Sequence, residues 1–169
     1  SIVHNIDKPT VGLLNVGAED VKGNDQVKKT TALFKESELN YIGFVEGDDI
    51  YLGDTDVIVC DGFVGNVALK SSEGVAKMIS AILKQEFKRT LMTKCSALLA
   101  KPVLAALKNR TDPSRFNGAS LVGLNGIVVK SHGGADAEAF VSAVAVACRE
   151  VDANLTERIT QSVQELVET

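Results

Sequence analysis

Thr10-Val11-Gly12-Leu13-Leu14-Asn15-Val16-Gly17 is the stretch on which the fold turns. A short apolar run bounded by glycine reads as a buried strand. Residues 22–36 follow as a polar, helix-permissive segment, with Val27, Leu33 and Phe34 as candidate inward positions. Residues 40–45 read as a second strand and residues 55–60 as a third. Gly65 opens a long helical region in which Val67, Val75, Met78, Ile79, Ile82 and Leu83 can share one broad face. Residues 127–130 read as a fourth strand, and residues 135–151 and 155–167 as two closing helices. Strands alternating with helices predict an α/β fold, a Rossmann-like and mainly parallel sheet flanked by helices.

Composition sets the class. At 169 residues, 45% hydrophobic and 24% charged with three prolines, the chain suits one domain or part of a larger α/β domain. No apolar run approaches the roughly 20 residues of a membrane-spanning helix. Ser1-Ile2-Val3-His4-Asn5 is not the start of a secretory signal. Cys60, Cys95 and Cys148 are widely spread and form no CxxC pair. That pattern argues against a disulfide framework or a zinc site and predicts a reducing, cytoplasmic setting.

In parallel sheets, ligands bind beyond the carboxyl ends of the strands. Three loops fall there. The first, residues 15–25, holds Lys22, Gly23 and Asn24 ahead of a helix. Helix-start N–H groups and an ammonium suit an anion, although a simple cap at Asn24 with Lys22 in solvent explains the same residues. The second, residues 60–70, reads Cys60-Asp61-Gly62-Phe63-Val64-Gly65-Asn66-Val67-Ala68-Leu69-Lys70. Its glycines allow close approach to a phosphate, and Asn66 is either a hydrogen-bond donor to that ligand or the helix cap. The third, residues 130–134, offers Lys130, Ser131, His132, Gly133 and Gly134. His132 is placed to bind an anion or exchange a proton, or else is structural.

Glycine beside a polar or cationic group recurs at each strand end, which is the layout of a phosphate-bearing site. There is no Walker ending, no GxGxxG, no metal-ligand spacing and no nucleophile elbow. Chemistry without a covalent enzyme intermediate, a metal or a cofactor is therefore expected.

Charge is unevenly placed. Residues 84–115 carry 8 basic and 2 acidic side chains, against a whole-chain net charge of −4. Within residues 91–108, Leu91, Cys95, Leu98 and Leu99 keep helical spacing, and Lys94, Lys101 and Lys108 recur on another face. Pro102 is expected to split the segment into two short helices, with residues 109–113 as a loop. An anionic membrane surface, an acidic protein partner, or burial in a dimer interface would each suit this excursion. No nucleic-acid partner is expected.

Val11-Gly12-Leu13-Leu14-Asn15-Val16-Gly17 with Lys22-Gly23-Asn24, the residues 61–70 loop, Gly118-Ala119-Ser120-Leu121, Gly123-Leu124-Asn125-Gly126 and Lys130-Ser131-His132-Gly133, taken in order, resemble the PlsX phosphate acyltransferases. The resemblance implies a fold similar to isopropylmalate dehydrogenases and phosphotransacetylases. It also implies that residues 1–169 form the C-terminal part of a longer chain that begins with a further α/β half. Its implied activity is transfer of a fatty acyl group from acyl carrier protein to inorganic phosphate, giving acyl phosphate for phospholipid synthesis. A homodimer, peripherally membrane-associated through residues 91–108, follows from the same likeness.

Lys22 and Asn66 match the family's functional lysine and asparagine. Gly23, Asn24, Gly65, Lys130, His132 and Gly133 are the accompanying substrate-binding candidates. A phosphotransacetylase-like enzyme using acyl-CoA, or a non-catalytic carrier-binding or membrane-tethering piece, are the rival readings.

Overall fold

A computed structural model describes residues 6–19, 21–111 and 117–167. They form two compact units, one of Ile6–Glu86 and one from Phe87 onward. The first contains a parallel sheet of β1 (Thr10–Leu14), β2 (Asn40–Val45) and β3 (Val57–Val59) in the order β2-β1-β3. Helix α1 (Asp25–Glu36) joins β1 to β2, the short α2 (Asp49–Leu52) precedes β3, and α3 (Gly62–Lys88) follows it. This is the Rossmann-like α/β alternation expected from the sequence.

The central strand earns its place by burial. Val11 and Leu13 are buried, as a parallel strand covered on both faces requires. A Cβ on Gly12 would lie 2.2 Å from Val45 Cγ2, so only glycine lets β2 close so tightly. The register then shifts, with Val11 opposite Tyr41 but Gly12 opposite Gly43. Gly43, at φ 101°, absorbs this bulge. Where β1 meets β3, Asp56 accepts hydrogen bonds from the Thr10 amide and hydroxyl, both 2.8 Å. Those two donors hold the Asp56 carboxyl below its ordinary pKa.

Asn24 caps α1 by accepting from the Val27 amide at 2.9 Å. The helix packs on β2 through an edge-to-face contact of Phe34 with Tyr41, ring centroids 5.4 Å apart. Helix α3 starts at Gly62, earlier than the expected Gly65, because Asp61 is its cap. Its 27 residues make a rod about 40 Å long. Val67, Val75, Met78, Ile79 and Ile82 do share a face, and that face is exposed.

In the second unit, α4 (Leu91–Thr111) runs unbroken through Pro102, against the expected split. A proline ring removes one intrahelical bond and clashes with an earlier carbonyl. The alanines, leucines and lysines on either side are strong helix formers, and they carry the helix across. Residues 109–111 are accordingly helical, whereas residues 112–113 of the expected loop lie outside the described residues.

The expected fourth strand is also different in kind. Only Val129–Lys130 (β5) is strand, and it pairs antiparallel with β4 (Ala119–Ser120), not with the parallel sheet. Gly118 and Gly123, both at positive φ, turn the chain so that these segments meet. Helices α5 (Ala137–Asp152) and α6 (Leu155–Val167) close the unit as expected. No helix among the described residues is long and apolar enough to cross a membrane.

Candidate active site

Because β1, β2 and β3 are parallel, the loops after them leave one edge of the sheet. Residues 15–24 and 61–66 are thus neighbours in topology. The loop after β5 lies in the second unit and is described separately.

The first loop is built around Asn15, which is buried. Its amide nitrogen extends the ladder to the Val45 carbonyl at 2.9 Å. Its side-chain oxygen accepts from the Val16 amide at 2.9 Å, and its Nδ2 reaches the Lys22 carbonyl at 3.4 Å. Gly23 completes the turn at φ 92°, where a Cβ would sit 2.6 Å from Asn15 Oδ1. Side chain and backbone therefore both demand glycine. Asn24 is a cap, as one of the two sequence readings had it. The first intrahelical bond runs from the Lys28 amide to the Asn24 carbonyl, so the amides of Asp25 and Gln26 precede it. Lys22 stands beside this positive helix end.

Lys22 is not alone. Its ammonium lies 2.7 Å from Glu19 Oε2, the two side chains 45% and 59% exposed. The Lys22 amide also donates to the Glu19 carbonyl at 3.0 Å. Hydrogen bonding to Glu19 raises the Lys22 pKa, with a further pull from Glu46 just beyond β2. The same bond lowers Glu19. Gly17 makes room for the pair, since a Cβ there would lie 2.6 Å from Lys22 Nζ and 2.8 Å from Glu19 Oε2.

In the second loop Asp61 is the organiser. Its Oδ1 accepts from the Phe63 amide at 2.9 Å and more distantly from Val64, while its carbonyl takes the Gly65 amide at 2.9 Å. These three N–H groups are therefore committed. Asn66 is not the cap; it stands in the second turn of α3 with its side chain exposed. Gly65 is small because Cys60 Sγ would lie 2.9 Å from any Cβ there.

The third loop is clamped by Asn117, which is buried. Its Nδ2 donates to Ser131 Oγ and to the Ala139 carbonyl, both 2.8 Å, and its Oδ1 accepts from the His132 amide at 2.8 Å. The Gly134 amide donates to His132 Nδ1 at 3.1 Å. Nδ1 is thus the acceptor, and a neutral ring carries its proton on Nε2. Lys130, His132 and Gly133 are exposed around this turn. Among the described residues, no three His, Cys, Asp or Glu side chains gather as metal ligands would.

Local sequence pattern missed Asn15, Glu19, Asp61 and Asn117. Asn117 finds its partners 14 to 22 residues away, and Asn15 closes a seven-residue loop to the Lys22 carbonyl that no local pattern marks. Glu19 had a visible signal, its three-residue spacing to Lys22.

Comparison with known proteins identifies the family. A family model described as "Fatty acid synthesis protein" matches residues 1–158. A phosphate acyltransferase of Legionella pneumophila (strain Corby) is 54% identical over 166 residues, 98% of this chain and 48% of that protein. The phosphate acyltransferase of Methylococcus capsulatus is 55% identical over 157 residues, 93% of this chain and 46% of that protein. That of Halorhodospira halophila is 51% identical over 166 residues, again 98% and 48%. The chain thus spans about half the length of the curated relatives it matches. With 158 consecutive residues matched and the glycine-edged strand ends in place, the chain belongs to the fatty acid synthesis protein family, the PlsX phosphate acyltransferases.

Proposed function

We propose that this chain supplies a half-site of an enzyme that moves a fatty acyl group from acyl carrier protein to inorganic phosphate. The observation carrying this reading is Lys22, two residues ahead of the α1 cap Asn24, its backbone tied to buried Asn15 and its ammonium over Gly17. An anion arriving at this loop meets a cation on the segment that leads into the positive end of a helix.

The chemistry needs little more. An oxygen of hydrogen phosphate attacks the thioester carbonyl carbon, forming a C–O bond and a tetrahedral oxyanion. Collapse breaks the C–S bond, and the sulfur of the carrier's phosphopantetheine arm leaves with the proton that phosphate brought. Lys22 balances the phosphate charge and fixes its orientation. Asn66, with its amide free of the capping role, donates to phosphate or to the developing oxyanion. The amides of Phe63, Val64 and Gly65 do not, because Asp61 holds them. Lys130, His132 and Gly133, on a loop of the second unit, are proposed to bind substrate as well. The test is to supply the full-length enzyme with acyl-carrier thioester or acyl-CoA and to measure acyl phosphate. A preference for acyl-CoA would replace this reading with a phosphotransacetylase.

Helix α4 carries the membrane part of the proposal. Leu91, Met92, Leu98, Leu99 and Val103 are exposed on one side, flanked by Lys94 and Lys101. An apolar stripe edged by lysines suits the surface of an anionic bilayer. Full-length protein carrying Leu98→Glu and Leu99→Glu is expected to lose most co-sedimentation with anionic vesicles; unchanged binding ends the idea. The full-length enzyme is further proposed to be a homodimer, which a monomer mass by light scattering would refute.

A further inference from the structure

Lys22 meets a carboxylate before it meets any substrate. Glu19 Oε2, 2.7 Å from the ammonium, stands where an oxygen of a bound anion would stand. We infer that Glu19 is an internal counter-anion that incoming phosphate must displace, and that it thereby sets both the affinity and the charge selectivity of the site. This rests on the proposal that Lys22 holds phosphate.

Two features show that the pairing is built in. Gly17 leaves the volume that the lysine and glutamate side chains occupy together, and a methyl group there would collide with both. The Lys22 amide also donates to the Glu19 carbonyl, so the two residues are tied through the backbone as well as through their side chains. Glu46 adds a second negative charge acting on the same ammonium. A monoanion gains nothing by exchanging with one carboxylate of equal charge. Hydrogen phosphate, carrying two charges, does gain. The site therefore discriminates by charge without any residue that reads phosphate shape.

Glu19 touches no reacting atom in this scheme and acts through Lys22. It is a positioning residue, and its replacement should move the phosphate KM and not kcat. An exposed pair is weak, so Glu19→Gln in the full-length enzyme is expected to lower the phosphate KM by roughly two- to fivefold. The same variant should be inhibited more strongly by potassium acetate than the native enzyme, compared at constant ionic strength. Glu19→Ala should behave alike, which separates loss of charge from an effect of the new amide.

The control is Lys22→Met. If it leaves the phosphate KM unchanged, the assignment of Lys22 fails, and this inference with it. If Lys22→Met raises the phosphate KM while both Glu19 variants leave it unchanged or raise it, Lys22 stands and the counter-anion role is overturned.

Discussion

Lys22→Ala in the full-length enzyme is expected to reduce kcat/KM for phosphate by about 10²–10³, the scale of losing one preorganised electrostatic contact in a transition state. The loss should be chemical rather than structural. Among the described residues, the Lys22 side chain pairs with Glu19, and that pair is half exposed. The elements that shape the loop, buried Asn15 and left-handed Gly23, are untouched by the change. Thermal unfolding should therefore move by no more than about a degree or two, as for an ordinary surface substitution. Lys22→Arg should recover only part of the activity, because a planar fork presents its charge differently from a compact ammonium. A steady-state assay with phosphate varied is sufficient. Activity within threefold of native for Lys22→Ala would remove the central cation from the mechanism.

Asn117→Ala should cost the second unit much of its local stability. The side chain is buried and makes three hydrogen bonds of 2.8 Å, to Ser131, His132 and Ala139. Truncation takes a partner from the His132 N–H and the Ser131 hydroxyl, both part-buried, and the side-chain bond from the buried Ala139 carbonyl. Leaving buried groups without partners dominates such costs, and roughly 2–4 kcal/mol is expected. Asn117→Asp should also be damaging, since a carboxylate cannot donate to Ser131 or to the Ala139 carbonyl. Urea unfolding measures the change, and a cost below about 1 kcal/mol would show that the clamp is not what holds the loop. Catalysis should suffer as well, because residues 131–134 lose their anchor to α5.

How much of this was visible in the sequence depends on the range of the interactions involved. The β1 run, the α1 cap at Asn24 and the two closing helices were legible because each rests on neighbours a few residues away. The fate of Pro102 was not, because helix propensity on both flanks outweighed the one lost bond. The strand at residues 129–130 was recognisable as a strand, yet its antiparallel partner was not, since Gly118 and Gly123 set the reversal. Lys22 was found through its motif, while Asn15, which ties down its backbone, looks like any strand-end asparagine. Asn117 reaches 22 residues to Ala139, a contact that no local pattern announces. Of the two readings of Asn66, ligand donor or helix cap, the cap fell to Asp61 for a simpler reason: both residues can cap a helix, and the earlier one does.

The bulge at Gly43 has a consequence for growth of the sheet beyond this chain. A strand at the rim of a sheet offers unpaired amides and carbonyls to any passing extended segment. Among the described residues, β2 and β3 are the outer strands of the three-stranded sheet. The register break opposite Gly12 interrupts the even row of donors and acceptors that a foreign strand would need along β2. On the other side β3 offers only three residues, Val57–Val59. A kinked strand and a short one leave any extended segment that approaches this piece of the sheet little even edge to pair with.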